Sequence, residues 1–427
     1  MTSAFAIEQD IAAHLYEAAR DLRVLKSIAW DGSIRDDFLA TGGEKMPVVQ
    51  YEPEDTKPAR QHLKDAAGLL GSDTPVMEWL QRICGVLQTQ ADMLDARETQ
   101  AFYTHSAQLF GTPQKLMLDG KTQVIDLARH IDETLGELEF EKLVLSGADE
   151  ALTAQQFAAA LEPQVAEHFG DDAPAIELSD TLSAKATASS RRIRVRSTAS
   201  FTQMDVRQLL QHEALIHTAT ALNGQAQSRF PILGRAHMGT TQIQEGLAVF
   251  AEMIAGTMDP KRFRRLADRV IAINMAAEGA DFIQVYRFYL EQTDDAEESF
   301  ENTRRVFRGG VLTGGAPFTK DLVYLNGLLR VHNFLRSVVS LNRADLIRVL
   351  FVGKMDLEDV PAIAELIDNQ LIEQPKFMPR WAKDLRFVVS YLTYSSFLNR
   401  IKLPGFQGYY EERLAAVPKV WHFDKPG

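Results

Sequence analysis

The spacing of apolar residues along the chain predicts a mainly helical protein. The first stripe of an amphipathic helix, with steps of four and three, lies within residues 8–25 and consists of Ile11, Leu15, Ala18, Leu22 and Leu25. Comparable patterns return at 60–110, 121–145 and 151–168, and then from about 203 to the end, where the glycine-rich loop 309–317 breaks them. We therefore expect helices to form most of the structure.

One stretch has the alternation of a β-strand instead. In residues 192–196 (RIRVR) arginines alternate with apolar side chains, which is typical of a half-buried strand. A second short strand is expected around Ala175–Leu178. We expect an α+β fold that is predominantly helical, with a small β-sheet in the 170–200 region lying over the helix that follows. We divide the chain into a mainly helical N-terminal region, residues 1–135, and a second domain, residues 136–427, whose C-terminal part is helical.

Composition and charge narrow the class of protein. The 427 residues are 45% hydrophobic and 24% charged, which is ordinary for a globular protein. The net charge of −12 opposes a phosphate backbone and argues against a nucleic-acid partner. The N-terminus soon turns polar, and no run approaches the roughly 18–20 apolar residues of a membrane helix. Cys84 is the only cysteine and lies in an apolar stretch, so we interpret it as a buried structural thiol. We expect a cytoplasmic protein without membrane contact.

Candidate chemistry concentrates in the stretch His212-Glu213-Ala-Leu-Ile-His217. Residues 202–205 (TQMD) resemble a capping box that starts a helix, and residues 223–224 (NG) a natural end of it. The usual zinc helix places two histidines at i and i+4 on one face. Here they stand at i and i+5, about 140° apart on a regular α-helix. One inserted residue, forming a π-bulge, would return both rings to one side, so we predict a widened turn between Gln211 and Thr218. The alternative is two unrelated surface histidines.

A catalytic zinc needs a third protein ligand and keeps its fourth position for water. Residues 241–244 (TQIQ) resemble a capping box that opens a second helix, which carries Glu245 and Gly246. A glycine inside a helix costs about 1 kcal/mol relative to alanine. Close approach of this second helix to the zinc helix would explain why Gly246 has no side chain, and it would direct Glu245 at the metal. Glu252 shares that face and could orient a histidine. Taken alone, Glu245 could equally be a solvated glutamate in a first helical turn.

The stretches HEALIH and QEGLA resemble the QEGLA-motif family. Its bacterial members are often labelled flavohemoglobin-expression-modulating proteins, and its animal relatives are the microtubule-associated tyrosine carboxypeptidases. Asn223 follows the second histidine as it does in the family. Residues 305–309 (RVFRG) and 318–330 (FTKDLVYLNGLLR) are similar to the carboxypeptidases almost residue for residue. The resemblance is strong over residues 190–335 and loose over the first 130.

The resemblance implies a zincin-like metallopeptidase core within residues 136–427. It implies that His212, His217 and Glu245 bind Zn²⁺ and that Glu213 is the catalytic acid and base. Zinc would polarise the scissile carbonyl and acidify its bound water. Glu213 would take the proton of that water and later give it to the leaving amine.

Substrate contacts are expected from side chains near the loop 309–317. Tyr324 is our candidate for a further donor to the tetrahedral intermediate. Arg305, Arg308 and Lys320 are candidates for binding the carboxylate of a free C-terminus, for which a guanidinium with two parallel N–H groups is preferred. The alternative for these charges is an ordinary solvated face.

Arg196 and the strand that ends with it are a further candidate for substrate binding. Zinc peptidases commonly keep an edge strand near the metal helix, and this strand pairs with extended substrate. Charged residues that protect an edge from aggregation would give the same pattern. His237, in the loop between the two ligand helices, is interpreted as a structural or surface residue rather than a fourth ligand.

These residues together predict a zinc-dependent peptidase of the carboxypeptidase type, acting on the C-terminus of a peptide or protein. One alternative is a catalytically silent or regulatory zinc-binding protein that affects flavohemoglobin expression. The intact Glu213 counts against it, since a structural site has no need of a base. A zinc amidase or deformylase-like enzyme is another alternative. The physiological substrate, endo- or exopeptidase action and the oligomeric state stay open.

Overall fold

Helices form most of this computed structural model, as the apolar spacing predicts. The structure describes residues 5–71, 73–136, 151–180, 182, 184–398, 408, 410 and 413. The α-helices in these ranges are α1 (Ala6–Asp21), α2 (Val24–Ser27), α3 (Gly32–Ala40), α4 (Lys57–Leu69), α5 (Pro75–Asp95), α6 (Gln100–Phe110), α7 (Val124–Gly136), α8 (Ala154–Phe169), α9 (Gln203–Leu209), α10 (Ala219–Gln225), α11 (Met238–Ile254), α12 (Pro260–Ala277), α13 (Phe282–Thr293), α14 (Ala296–Phe307), α15 (Leu322–Ser340), α16 (Val360–Asp368), α17 (Arg380–Lys383) and α18 (Arg386–Leu398). None of these helices is both long and apolar enough to cross a membrane.

Helices with other hydrogen-bond spacings connect some of these elements. A π-helical segment, Leu210–Thr218, joins α9 to α10 without a break. The short 3₁₀-helices are Gly170–Asp172, Pro231–Gly234, Ala344–Phe351 and Leu357–Asp359.

Three short strands form the small β-sheet, which confirms the expected α+β class. They are β1 (Ala175–Ser179), β2 (Ala186–Ala188) and β3 (Arg192–Arg196), in the order β1-β3-β2. Strand β1 runs parallel to β3, and β2 runs antiparallel to it. Ile193 and Val195 are fully buried, so the predicted alternation is confirmed. Because β3 is the central strand, our interpretation of the arginine strand as an edge is wrong. The edge strand that contacts the π-helical segment is β2.

Two clusters of buried side chains lie on either side of the helical stretch 203–225. The larger cluster collects side chains from the helices α1–α7 and α11–α18. The smaller one joins α8, the β-sheet and Phe377. Ile216 belongs to the larger cluster and Ala214 to the smaller one, so this stretch is packed on both sides. The division of the chain between residues 135 and 136 stays a prediction.

Helices α11 and α15 approach each other closely at two glycines. A Cβ on Gly246 would overlap the backbone of Gly327, and a Cβ on Gly327 would overlap the carbonyl oxygen of Gln242. Helix α11 also packs against the π-helical segment. Contact with α15, rather than with the histidine helix, therefore explains Gly246, and our explanation from the sequence is wrong on that point.

Candidate metal centre

The two histidines lie on a helix whose turn is wider than that of an α-helix. Helix α9 begins at the predicted capping box, in which Thr202 and Asp205 each accept a backbone N–H from the other. The π-helical segment then spans nine residues, Leu210–Thr218, and includes both His212 and His217. The predicted widened turn is therefore confirmed, and it is longer than a single bulge. The expected helix end at Asn223-Gly224 lies one residue early, since α10 continues to Gln225.

The wide turn brings the two imidazole rings to the same side. Their ring centroids are 4.9 Å apart. Nε2 of His212 lies 3.2 Å from Oε2 of Glu245, and Nε2 of His217 lies 3.4 Å from the same oxygen. One ligand atom of each residue lies within 4.8 Å of the other two. In the described part of the chain, this is the one such group of histidine, cysteine and carboxylate side chains.

These separations fit a single tetrahedral zinc ion. Ligands that are 2.0–2.1 Å from such an ion lie roughly 3.3–3.4 Å from one another. The two distances to Glu245 agree with that value. Two imidazoles and one carboxylate are also a donor set typical of catalytic zinc sites, which leave a fourth position open. The residues present therefore fit the metal that the sequence predicts.

Further contacts fix the orientation of His212. Its Nδ1 donates to Oε1 of Glu252 at 2.6 Å, because a carboxylate oxygen can only accept. Nε2 is thereby directed at Glu245. Arg262 donates two hydrogen bonds of 3.1 Å to Glu252, which is fully buried. Burial opposes the ionised form of Glu252, but Arg262 outweighs it and lowers the pKa to about 2. Burial likewise opposes a charged His212, while Glu245 and Glu252 raise its pKa to about 10.

Glu213 is buried beside this cluster, on the same helical segment. Burial raises the pKa of its carboxyl group, an effect that His217 and His212 partly offset. The backbone N–H of Ala188, in strand β2, faces the carboxylate and also favours its ionised form. The small sheet thus contributes to the environment of Glu213.

A cavity of about 490 Å³ opens onto the cluster and is strongly basic. Its lining includes five acidic residues, among them Glu213 and Glu245. The basic residues of the lining number nine, and they are Lys185, Arg196, Arg262, Arg265, Arg269, Arg305, Arg308, Lys320 and Lys354. The cavity is therefore suited to an anionic ligand.

The four predicted substrate-binding residues all line this cavity, together with Tyr324. Arg305 is already engaged, since it donates two hydrogen bonds to Asp321 and lies 3.3 Å from the Tyr324 hydroxyl. Lys320 lies 3.6 Å from Oε1 of Glu245. Arg196 is the last residue of β3.

Arg308 and Arg269 hold charges without a close acidic partner of their own. Nε of Arg308 and Nη1 of Arg269 are buried and have no hydrogen-bond partner among the described residues. Asp321 is 3.9 Å from Arg269 but is bonded by Arg305. Burial and the neighbouring Arg305 lower the pKa of Arg308 to about 10, and they also lower the pKa of Arg269. An anion in the cavity would relieve this repulsion.

Sequence reasoning missed five basic residues of the cavity, which are Lys185, Arg262, Arg265, Arg269 and Lys354. The guanidinium of Arg269 lies 4.2 Å above the ring of Tyr324. Lys354 follows a 3₁₀-helix in the C-terminal part of the chain. Arg269 stands in a helix with four other basic residues and looks like part of a solvated face. Neither position carries a motif.

His237 is the residue that precedes α11. It is buried, lines the cavity, and has a pKa that burial lowers to about 4. It does not belong to the group of converging ligand atoms. Helix α11 begins at Met238, so the capping box expected at residues 241–244 is wrong.

Comparison with known proteins points to one family. The family model for the microtubule-associated tyrosine carboxypeptidase matches residues 36–400. No curated protein matches the chain. Among solved structures, a protein described as a lipoprotein from Colwellia psychrerythraea is similar at 14% identity and a TM-score of 0.42, covering 82% of this chain and 69% of that one. Because the family model spans most of the sequence, including every residue of the metal centre, this chain belongs to the microtubule-associated tyrosine carboxypeptidase family.

Proposed function

We propose that this protein is a zinc-dependent carboxypeptidase that removes residues from the C-terminus of a peptide or protein. The observation that carries the proposal is the convergence of His212, His217 and Glu245 within 4.8 Å of one another, beside the buried carboxylate of Glu213. Membership in a family of carboxypeptidases supports the same activity.

His212, His217 and Glu245 would hold the zinc ion, and Glu252 would orient His212 through its Nδ1–H. When bound, zinc supplies Lewis-acid polarisation of the scissile carbonyl and makes a water acidic enough to lose its proton near neutral pH. Glu213 accepts the proton of the attacking water and delivers it to the leaving amine. The N–H of Ala188 favours the ionised form of this carboxylate.

The substrate carboxylate would be bound by the arginine cluster of the cavity. Arg308 and Arg269 have buried N–H groups that are still available, whereas Arg305 is bonded to Asp321. Guanidinium groups bind carboxylates with paired, charge-assisted hydrogen bonds. Arg305 and Lys320 then contribute charge around the bound anion, and Arg196 lines the same cavity. A requirement for a free C-terminus follows from this arrangement.

Tyr324 is positioned to donate to the substrate. Its hydroxyl accepts a hydrogen bond from Arg305, which leaves its own hydrogen free to donate. Arg269 and Lys320 both lie over its ring, at 4.2 and 5.4 Å from the centroid. We propose that this hydroxyl is one donor to the carbonyl oxygen of the scissile amide.

A peptide screen tests the proposed function. Zinc-loaded protein and the Glu213→Gln variant would be incubated with peptides that differ only at the C-terminus, and products would be read by mass spectrometry. We expect loss of C-terminal residues with the native protein, none with the variant, and no cleavage of amidated peptides. A regulatory zinc protein would leave all peptides intact. Cleavage of amidated peptides would overturn the carboxypeptidase assignment.

A further inference from the structure

Lys354 reaches the metal centre from a segment far along the chain. It lines the cavity, and its Nζ lies 3.1 Å from Oε1 of Gln244, the residue that precedes Glu245. The charges of Glu245 and Glu213 both act on its ammonium group. Burial nevertheless dominates and lowers the pKa of Lys354 to about 8. The side chain therefore lies beside Gln244 in the lining of the cavity that also contains Glu245 and Glu213.

The backbone of Lys354 is fixed, through the turn at Leu233, to α10, the helix that follows the π-helical segment. Its N–H donates to the carbonyl oxygen of Leu233 at 2.7 Å. A Cβ on Gly353 would lie only 2.7 Å from that same oxygen, and a Cβ on Gly224, in α10, would overlap it. The turn at Leu233 is thus held between α10 and residues 353–354. This close packing fixes the backbone of Lys354 relative to α10.

The side chain of Lys354 is held at one point. A lysine can only donate, so the amide oxygen of Gln244 must face it. The Thr220 hydroxyl lies 2.8 Å from the same oxygen and fixes the amide further. Gln244 accepts one of the three N–H groups of the ammonium, and within the described ranges it is the one hydrogen-bond partner of the Lys354 side chain. The other N–H groups are available to a ligand in the cavity.

We propose that Lys354 is a catalytic residue, whose ammonium group donates a hydrogen bond to the carbonyl oxygen of the scissile amide as that oxygen gains negative charge. The inference rests on the proposed carboxypeptidase function and adds a second donor to Tyr324. Donors held rigidly at the position of a developing oxyanion stabilise the transition state more than the substrate. Lys320 is the less suitable lysine, because Glu245 is 3.6 Å from its ammonium group.

Kinetics of matched variants test this role. With a cleaved peptide from the screen, Lys354→Met should lower kcat by about 100-fold or more while KM changes little. Lys354→Arg should recover part of the loss. Lys376→Met removes an exposed lysine that pairs with Asp172, and should leave kcat unchanged. Zinc content and melting temperature are measured for each variant. A kcat for Lys354→Met within about threefold of the native value, or a loss confined to KM, would overturn the proposal.

A binding measurement separates this inference from the proposed function. The visible spectrum of the cobalt-loaded protein would be titrated with inorganic phosphate, a tetrahedral anion that reports on the metal centre without any hydrolysis. Lys354→Met should weaken the apparent phosphate affinity by about tenfold or more, and Lys376→Met should not. Equal affinities in native protein and Lys354→Met would exclude the ammonium contact even if peptides are cleaved. Weaker phosphate binding together with no cleavage by native protein would instead sink the proposed function and keep the contact.

Discussion

Single residues beyond the three proposed ligands orient the side chains of the proposed metal centre. Arg262 holds Glu252, and Glu252 in turn holds Nδ1 of His212. This contact fixes which imidazole nitrogen faces Glu245 and removes the freedom of the ring to turn. The buried carboxylate of Glu252 is itself tolerated because Arg262 compensates its charge.

Replacing Glu252 by glutamine tests that chain of contacts. We expect Glu252→Gln to lower zinc affinity by about 10–100-fold, because the ring of His212 loses its charged partner. The melting temperature should also fall, since Arg262 stays buried without an anion. Competition with a chromogenic chelator measures the affinity, and Glu278→Gln, an exposed glutamate after α12, is the matched control. Unchanged zinc affinity in Glu252→Gln would contradict the orienting role.

Removing a proposed ligand should lower zinc binding more than removing Glu252, the residue that orients His212. Native protein is expected to bind about one zinc per chain, and Glu245→Ala or His212→Ala should bind far less. The fold should survive, because both helices are packed in extensive cores whatever the state of the metal. Elemental analysis after dialysis and far-ultraviolet circular dichroism measure the two quantities. Full occupancy in Glu245→Ala would exclude Glu245 as a ligand.

Residues of the centre differ in how far the sequence could identify them. His212, Glu213, His217 and Glu245 stand in two short motifs, so their chemistry and spacing can be recognised directly. Arg269 and Lys354 join the cavity only through tertiary packing. A lone basic residue in a polar helix, or after a short 3₁₀ turn, has the same local sequence whether it faces solvent or a cavity.

Among the secondary-structure elements, those with a regular spacing of residues in the sequence were predicted best. The separation of five residues between the histidines predicts a π-helical turn, and Leu210–Thr218 confirms it. The alternation that predicts β3 is confirmed too. Strand β2 could not be predicted, because Ala186–Ala188 has no alternation and pairs only through its backbone. Local capping signals failed at residues 241–244, where packing of the preceding turn extends α11 to Met238.

The close contact between α11 and α15 at Gly246 can be tested by a substitution. Gly246→Ala should destabilise the protein by about 1–3 kcal/mol or more, since the added methyl group overlaps the backbone of Gly327 and must separate the helices. Zinc affinity should fall as well, because Glu245 moves with α11. Gly85→Ala is the control: it lies in α5 with open space around it, and should stabilise by about 1 kcal/mol. Urea unfolding measures the free energy of unfolding of both variants. Equal changes in Gly246→Ala and Gly85→Ala would contradict the close contact between α11 and α15.

The whole molecule is acidic, whereas the lining of its cavity is basic. The chain carries a net charge of −12, yet basic residues outnumber acidic ones in the lining of the cavity. Overall charge therefore says nothing about the ligand, whereas the local field favours entry of an anionic peptide end. The two cores on either side of the histidine helix could not be predicted either, because both are assembled from segments far apart in sequence.

The pH dependence of stability is a further property of the whole molecule. Burial raises the pKa of Asp268 to about 7, against Arg264. At a pH between the pKa of Asp268 in the unfolded chain and its pKa in the folded protein, the native state binds more protons than the unfolded state. The contribution of Asp268 to the free energy of unfolding is therefore complete below about pH 4 and is lost as the pH rises through 7. Asp268→Asn should thus stabilise the protein at pH 8 by on the order of 3 kcal/mol and have little effect at pH 4. Urea unfolding at both pH values checks this, and an equal effect at both would contradict it.

The π-helical segment also affects how proteins of this kind are found in genomes. A search pattern with two histidines separated by three residues, which assumes a regular helix, passes over this chain altogether. Allowing one more residue between the histidines recovers it but admits many chance matches. The pattern becomes selective again only when it also requires a glutamate followed by glycine on a later helix, since the proposed metal site needs the first and the helix crossing needs the second.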